Sequence, residues 1–356
     1  MRYVPALDGL RALAVMLVFL FHRGRYFPGG WIGVDIFFVL SGYLITSILL
    51  GEHETTGAIC LRRFYIRRAC RLLPALVVVV GVAVAIAVWS RNKVHDTEFD
   101  ALAALFYVID YRYALGSADG TALGHIWSLS VEEQFYLFWP LLLIALLKWN
   151  RRTALRMTLA LIVIVAAWRV LLLVTLAHPF RRIYFAFDTR ADELLIGCAL
   201  ALWRPQISGF RFLGRLWPAV LALLAAVVLL VSPSGPWLRY IDSVGYPLLG
   251  LAAAYLIVIL TGDGDSRLTH LLSYPVIVAF GRISYGFYLW HYLIIQEQDY
   301  LFLKKAWWDF ALSVGAAVVS YLIIERPFLK LGRRGTIPLR LRPVPSGSPR
   351  VEGAGN

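Results

Sequence analysis

Arg11 and His22 stand eleven residues apart in LDGLRALAVMLVFLFHRG (residues 7–24), a stretch that otherwise reads as a membrane-spanning helix. At about 100° and 1.5 Å per residue, both fall on one helix face, roughly 16 Å apart along the axis. An ionisable group in a membrane segment costs about 2.5–3.5 kcal/mol on insertion scales and by default marks a functional site. This face would carry a fixed cation at one end and a titratable imidazole at the other. An imidazole with a near-neutral pKa can remove the proton of a hydroxyl, and cations or hydrogen-bond donors can stabilise the oxyanion formed at an attacked acyl group. The structural alternative pairs Arg11 with Asp8, one turn away, and lets His22 hydrogen-bond in a polar core.

Other polar groups recur in the apolar stretches. GGWIGVDIFFVLSGYLITSILL (29–50) contains Asp35 and the Ser41–Gly42 pair; Gly42 suits close helix packing, and Ser41 can bond back to its own helix. GHIWSLSVEEQFYLFWP (124–140) contains His125, Ser128, Ser130, Glu132 and Glu133. Ser130 and Glu133 have the spacing of a capping box, and Ser128 and Glu132 are also one turn apart; the two adjacent acids together with His125 exceed what a cap requires. DTRADELLIG (188–197) is either a second polar site or a solvated helix start whose acids complement the helix dipole. GRISYGFYLWHYLII (281–295) brings Arg282, Tyr285, Tyr288 and His291 into one segment, and Glu325-Arg326-Pro327 marks a final exit.

The elements that must position these groups are helices in a bilayer. Of the 356 residues, 60% are hydrophobic and only 16% charged, which excludes a soluble domain with a polar surface. A crossing needs about 20 mostly apolar residues, and such stretches predict an all-α, polytopic protein with about ten transmembrane helices. They fall near 7–24, 31–50, 73–90, 132–148, 157–176, 191–203, 216–232, 244–260, 281–298 and 307–325. Residues 101–115 are apolar but too short to cross, which leaves a re-entrant segment or a span. The first segment lacks a basic flank and a cleavage site, so no cleavable signal peptide is expected.

The formal net charge of +13 reports orientation here, not nucleic-acid binding. With both termini cytoplasmic, residues 62–71, 148–152, 204–215 and the tail from Arg326 carry the larger share of Lys and Arg, as the positive-inside rule requires. Arg62, Arg63, Arg67, Arg68 and Arg71 then form a basic cytoplasmic loop, suited to anionic lipid headgroups or to the phosphates of a nucleotide-bearing acyl donor. Residues 1–330 read as one membrane domain and 331–356 as a disordered, basic cytoplasmic tail. Cys60, Cys70 and Cys198 have neither metal-ligand nor redox spacing, and no metal or permanently bound cofactor is expected.

Several strings, taken in order, resemble the acyltransferase 3 family of bacterial integral-membrane O-acyltransferases. They are YVPALDGLRALAVMLVFLFH, GGWIGVDIFFVLSGYLIT, FYIRRACRLLP, HIWSLSVEEQFYLFWPLLL, ISYGFYLWHYLII and the closing ERP, which together cover residues 3 to about 328. The resemblance implies a multi-pass protein of the bacterial cytoplasmic membrane that transfers an acyl group, commonly acetyl from cytoplasmic acetyl-CoA, to a hydroxyl. Acceptors in the family are sugars of surface glycans and glycolipids or, in some members, macrolides. The family's Arg and His fall on Arg11 and His22, its Ser and Glu on Ser128 and Glu132, and its basic motif on Arg67, Arg68 and Arg71. Some members carry an extracytoplasmic hydrolase-like domain. None follows ERP here, so the chain is expected to act alone or with a separate extracytoplasmic partner, which counts against a peptidoglycan acceptor.

The combined expectation assigns acyl-CoA phosphates to Arg11, Arg67, Arg68 and Arg71, and general-base chemistry, or less directly covalent acyl carriage, to His22. Ser128 belongs to substrate binding, and Glu132 and Asp35 would orient His22 or the acceptor. A proton-coupled transporter is the reading from another class, and acylation of a small metabolite is the alternative within the enzymes.

Overall fold

A computed structural model describes residues 3–24, 27–117, 120–177, 179–203, 216–230, 245–262, 266–297 and 306–334. All regular structure among the described residues is helical. Six segments are long and apolar enough to cross a membrane: Pro5–Arg23 (α1), Ile32–Thr56 (α2), Leu61–Ser90 (α3), Gly124–Leu147 (a 3₁₀ turn leading into α6, Trp127–Leu147), Arg151–Thr175 (α7) and Trp307–Gly332. The expected crossings at 191–203, 216–232, 244–260 and 281–298 coincide with shorter helices: α9 (Phe187–Trp203), α10 (Trp217–Leu230), α11 (Tyr246–Thr261) and α14 (Ser284–Gln296). The ends of the last three of those stretches, and the basic segment 204–215, lie outside the described residues.

Between α11 and α14 lie two short helices, α12 (Arg267–Leu272) and α13 (Pro275–Arg282). The final long segment comprises α15 (Ala306–Ser320), a π-helical turn (Tyr321–Glu325) and α16 (Arg326–Arg334). Helix α16 runs to residue 334, and residues 335–356, most of the expected tail, lie outside the described residues.

The centre of the fold is the pairing of α2 with α9. A Cβ on Gly42 would lie 1.9 Å from the Leu194 carbonyl oxygen, and one on Gly197 would lie 2.0 Å from that of Val39. Only hydrogen at these two positions permits the approach, which realises the packing role expected of Gly42. Helix α9 is accordingly buried on all sides from Thr189 to Leu202, and α7 covers it. Helix α7 buries only Ala154, Thr158 and Arg169, and presents Val163, Ile164, Leu171 and Val174 outward, as a lipid-facing helix must.

Two expectations about local structure change. Residues 62–71 are not a loop, because α3 begins at Leu61 and runs through them to Ser90. The arginines have good helix propensity and no glycine or β-branched run interrupts them. The short apolar stretch 101–115 divides into α4 (Val94–Leu105) and α5 (Ile109–Ala114), with Tyr107 at φ 55° between them. Gln134 of α6 holds this break by donating its side-chain amide to the Tyr107 carbonyl (2.7 Å) and to Asp110 (2.9 Å).

Residues 188–197 are not a solvated helix start. Arg169 of α7 forks onto both oxygens of Asp192 (3.0 and 2.7 Å), with all of these atoms buried. Arg190 bonds Asp35 of α2 and lies 3.3 Å from Glu193, while its guanidinium sits 3.8 Å from the Tyr246 ring centre. Asp188, nearer the surface, pairs with Arg182 of α8 (Phe180–Phe185) at 2.6 Å. Partial burial pushes its carboxyl up, but the Arg182 fork outweighs that and holds it below the usual range.

Candidate active site

Helices α1, α2, α3, α6 and α14 line a small cavity of about 70 Å³. Arg11 of α1 and Arg68 and Arg71 of α3 supply its positive charge, and Ser41, Ser128, Glu132, Tyr136, Tyr285 and Tyr288 supply most of its polar lining. Val34, Phe37, Leu72 and Leu129 complete the wall. The mixed lining, with cations beside apolar side chains, suits a ligand with an apolar arm and a few anionic groups.

Helical spacing sorts the arginines. Arg68 and Arg71 are one turn apart and both face the cavity, whereas Arg67 lies where α3 meets Gly332 of α16 and does not line it. Arg68 is fixed twice, by Glu133 at 2.6 Å and by the Tyr136 ring, 3.5 Å from its guanidinium carbon. Glu133 thus serves Arg68 and not a capping box with Ser130, whose hydroxyl has no hydrogen-bond partner among the described residues. Among the described residues the ion pair of Arg11 is a 3.8 Å contact with Asp8, which also accepts a 2.6 Å hydrogen bond from Tyr3.

The two carboxylates expected to orient His22 or the acceptor both lie apart from His22. Glu132 accepts a 2.9 Å hydrogen bond from Ser41 and a 3.5 Å one from Tyr136. It is therefore held among the arginines of the cavity instead of against His22, and Ser41 bonds across to α6 instead of back to its own helix. Asp35 is taken by Arg190 at the α2–α9 contact. An arginine buried so deeply needs a carboxylate there, and this leaves Asp35 in the packing and not beside His22.

The group that does meet His22 is His291 of α14, with Nδ1 of His22 2.9 Å from Nε2 of His291. His291 Nδ1 lies 2.7 Å from the Tyr288 carbonyl, an acceptor only, so Nδ1 carries the proton. In the neutral ring Nε2 must then accept, and His22 donates to it from Nδ1. That tautomer leaves the lone pair of His22 Nε2 to receive a proton. The ring remains partly exposed.

Tyr288 joins the cavity to this pair. Its hydroxyl lies 2.6 Å from the Ser128 hydroxyl and donates to the main-chain carbonyl of His125. His291, Tyr288 and His125 were visible in the sequence only as members of their segments. Their signal was the three-residue spacing of Tyr288 and His291, which puts both on one face of α14. Among the described residues no cluster of His, Cys, Asp and Glu could hold a metal ion.

Comparison with known proteins identifies the family. Residues 4–325 match the acyltransferase domain, and the chain belongs to the acyltransferase 3 family. It is 36% identical to a peptidoglycan O-acetyltransferase of Listeria monocytogenes across 93% of this chain and 56% of that protein. It is 35% identical to a putative peptidoglycan O-acetyltransferase of Bacillus subtilis across 94% and 56%, and 34% identical to a putative O-acetyltransferase of Staphylococcus aureus across 93% and 58%. The chain thus spans a little over half the length of these relatives. No solved structure matches it.

Proposed function

We propose that this chain is a multi-pass O-acyltransferase of a bacterial cytoplasmic membrane that moves an acetyl group from cytoplasmic acyl-CoA to a hydroxyl of an exported or cell-surface glycan. The observation that carries the reading is the junction at Tyr288, where a cavity with three arginines meets a hydrogen-bonded imidazole pair. Arg11, Arg68 and Arg71 would hold the phosphates through charge-assisted hydrogen bonds, and the pantetheine arm would run along the apolar wall toward Ser128 and Tyr288. Both termini would be cytoplasmic, with about ten crossings once the shorter helices are counted. The names of the relatives favour peptidoglycan as the acceptor class, restoring an acceptor against which the sequence-based argument had counted.

His22 would act as general base. Its Nε2 takes the proton of the acceptor hydroxyl as the oxygen attacks the thioester carbonyl, and it returns the proton to the departing sulfur. Throughout the cycle Nδ1–H stays bonded to His291, so the ring keeps its orientation while its charge changes. General-base catalysis of this kind contributes about 10²–10⁴-fold.

Titration of CoA into protein in lipid nanodiscs tests the donor. The wild type should bind saturably, and the Arg68→Ala/Arg71→Ala double variant should bind at least tenfold more weakly. Absence of CoA binding by the wild type would contradict the donor assignment and favour a transporter.

A further inference from the structure

The imidazole of His125 is only 3% exposed, and neither ring nitrogen has a hydrogen-bond partner among the described residues. Main-chain carbonyls of Ala122, Tyr288 and Leu289 lie near the ring without reaching hydrogen-bond geometry. Leaving a buried polar group unpaired forfeits its hydration without a replacement hydrogen bond, so its retention calls for an explanation.

Packing slack is not that explanation, because the turn bearing His125 is tied down on every side. The 3₁₀ turn Gly124–Ile126 starts from Thr121, whose carbonyl accepts from Gly124 N–H at 3.1 Å. The Thr121 hydroxyl donates to Asp100 (2.7 Å), and Arg112 donates to the other oxygen of the same carboxylate (2.7 Å). A Cβ on Gly124 would come within 2.6 Å of the Tyr113 hydroxyl, and Tyr288 fixes the His125 carbonyl. The ring so placed stands edge-on to His22, with centroids 6.5 Å apart. Its centroid lies 5.1 Å from that of Tyr288, which lines the cavity.

We propose that His125 is a second catalytic residue, whose neutral imidazole donates an N–H to the acyl carbonyl oxygen as negative charge develops there. This role rests on the acyltransferase reading above. A neutral imidazole always carries one N–H donor, and an imidazole can polarise a carbonyl in that form. In the first step the acceptor oxygen bonds to the carbonyl carbon while His22 Nε2 takes the hydroxyl proton. The C=O electron pair moves onto oxygen, which His125 hydrogen-bonds. In the second step the carbonyl reforms, the C–S bond breaks, and the sulfur takes the proton from His22, giving the ester and CoA thiol.

The test compares wild type, His125→Ala and His125→Gln in nanodiscs, measuring thiol release from acetyl-CoA with acceptor present and the binding of S-ethyl-CoA, a thioether without the carbonyl. Losing one oxyanion donor costs about 10²–10³ in kcat. His125→Ala should therefore lose at least a hundredfold in kcat with S-ethyl-CoA affinity and KM within threefold of wild type. His125→Gln, which keeps an N–H donor, should recover at least tenfold. A kcat within threefold for His125→Ala, equal losses in both variants, or a matching loss of S-ethyl-CoA binding would overturn the role. Should His125→Ala fail to fold, His125→Leu, which also lacks a donor, takes its place against His125→Gln and wild type under the same criteria. Wild-type protein that binds S-ethyl-CoA yet releases no thiol would defeat the acyltransferase reading and this role together.

Discussion

At the residue scale, the proposed chemistry turns on which nitrogen of His22 is free, and that is decided by a partner 269 residues away in the chain. His291→Leu removes the acceptor for His22 Nδ1–H and should lower kcat by about 10²-fold or more, with KM for acetyl-CoA unchanged. His291→Gln, which offers an amide oxygen to the same proton, should lose less, and steady-state kinetics on the two variants would show it. Equal activity of the leucine variant and wild type would remove His291 from the mechanism. The one-face relation of Arg11 and His22 was legible because helical periodicity alone dictates it. The pairing with His291, and the loss of Asp35 to Arg190, were not, since both are set by how helices dock. Sequence marked Asp35 as costly to bury without saying which cation bears that cost.

At the element scale, α2 and α9 are held together by backbone proximity and by buried charge pairs that extend to α7. Gly42→Ala or Gly197→Ala should force the two helices apart and cost about 1–3 kcal/mol through overpacking. Gly81→Ala, where nothing lies within 4 Å of the added carbon, serves as the control. Thermal unfolding in detergent should show lower midpoints for the first two and no loss for the third; equal midpoints would contradict the close approach. Arg169→Met strands the buried Asp192 carboxylate, a change that costs about 3–5 kcal/mol, and Arg169→Met/Asp192→Leu should recover most of that loss. The small residue at 42 foretold this contact because few other roles suit a glycine within an apolar helix. Residues 62–71 misled because arginine density signals a cytoplasmic location equally well in loop and helix. Their three- and four-residue spacings held the information that two of the arginines share a face.

At the scale of the whole molecule, a membrane character follows from composition, but the topology depends on the short helices, whose lengths sit below the usual crossing. Cys60, exposed between α2 and α3, provides a native probe. In a Cys70→Ala/Cys198→Ala background, a membrane-impermeant maleimide should label Cys60 only after the cells are permeabilised; labelling of intact cells would invert the orientation and put the cavity arginines on the wrong side for a cytoplasmic donor. Sequence patterns thus located the segments, while the meeting of α1, α6 and α14 around three imidazoles emerges only from the assembled bundle. The central claim is that His22 transfers the acceptor's proton during acyl transfer. It is tested most directly by incubating purified protein in lipid with radiolabelled acetyl-CoA and candidate glycans, wild type beside His22→Ala. The account predicts label on the glycan for wild type and at least about a hundredfold lower rate for a folded, CoA-binding His22→Ala protein; near-normal label transfer by that variant would contradict it.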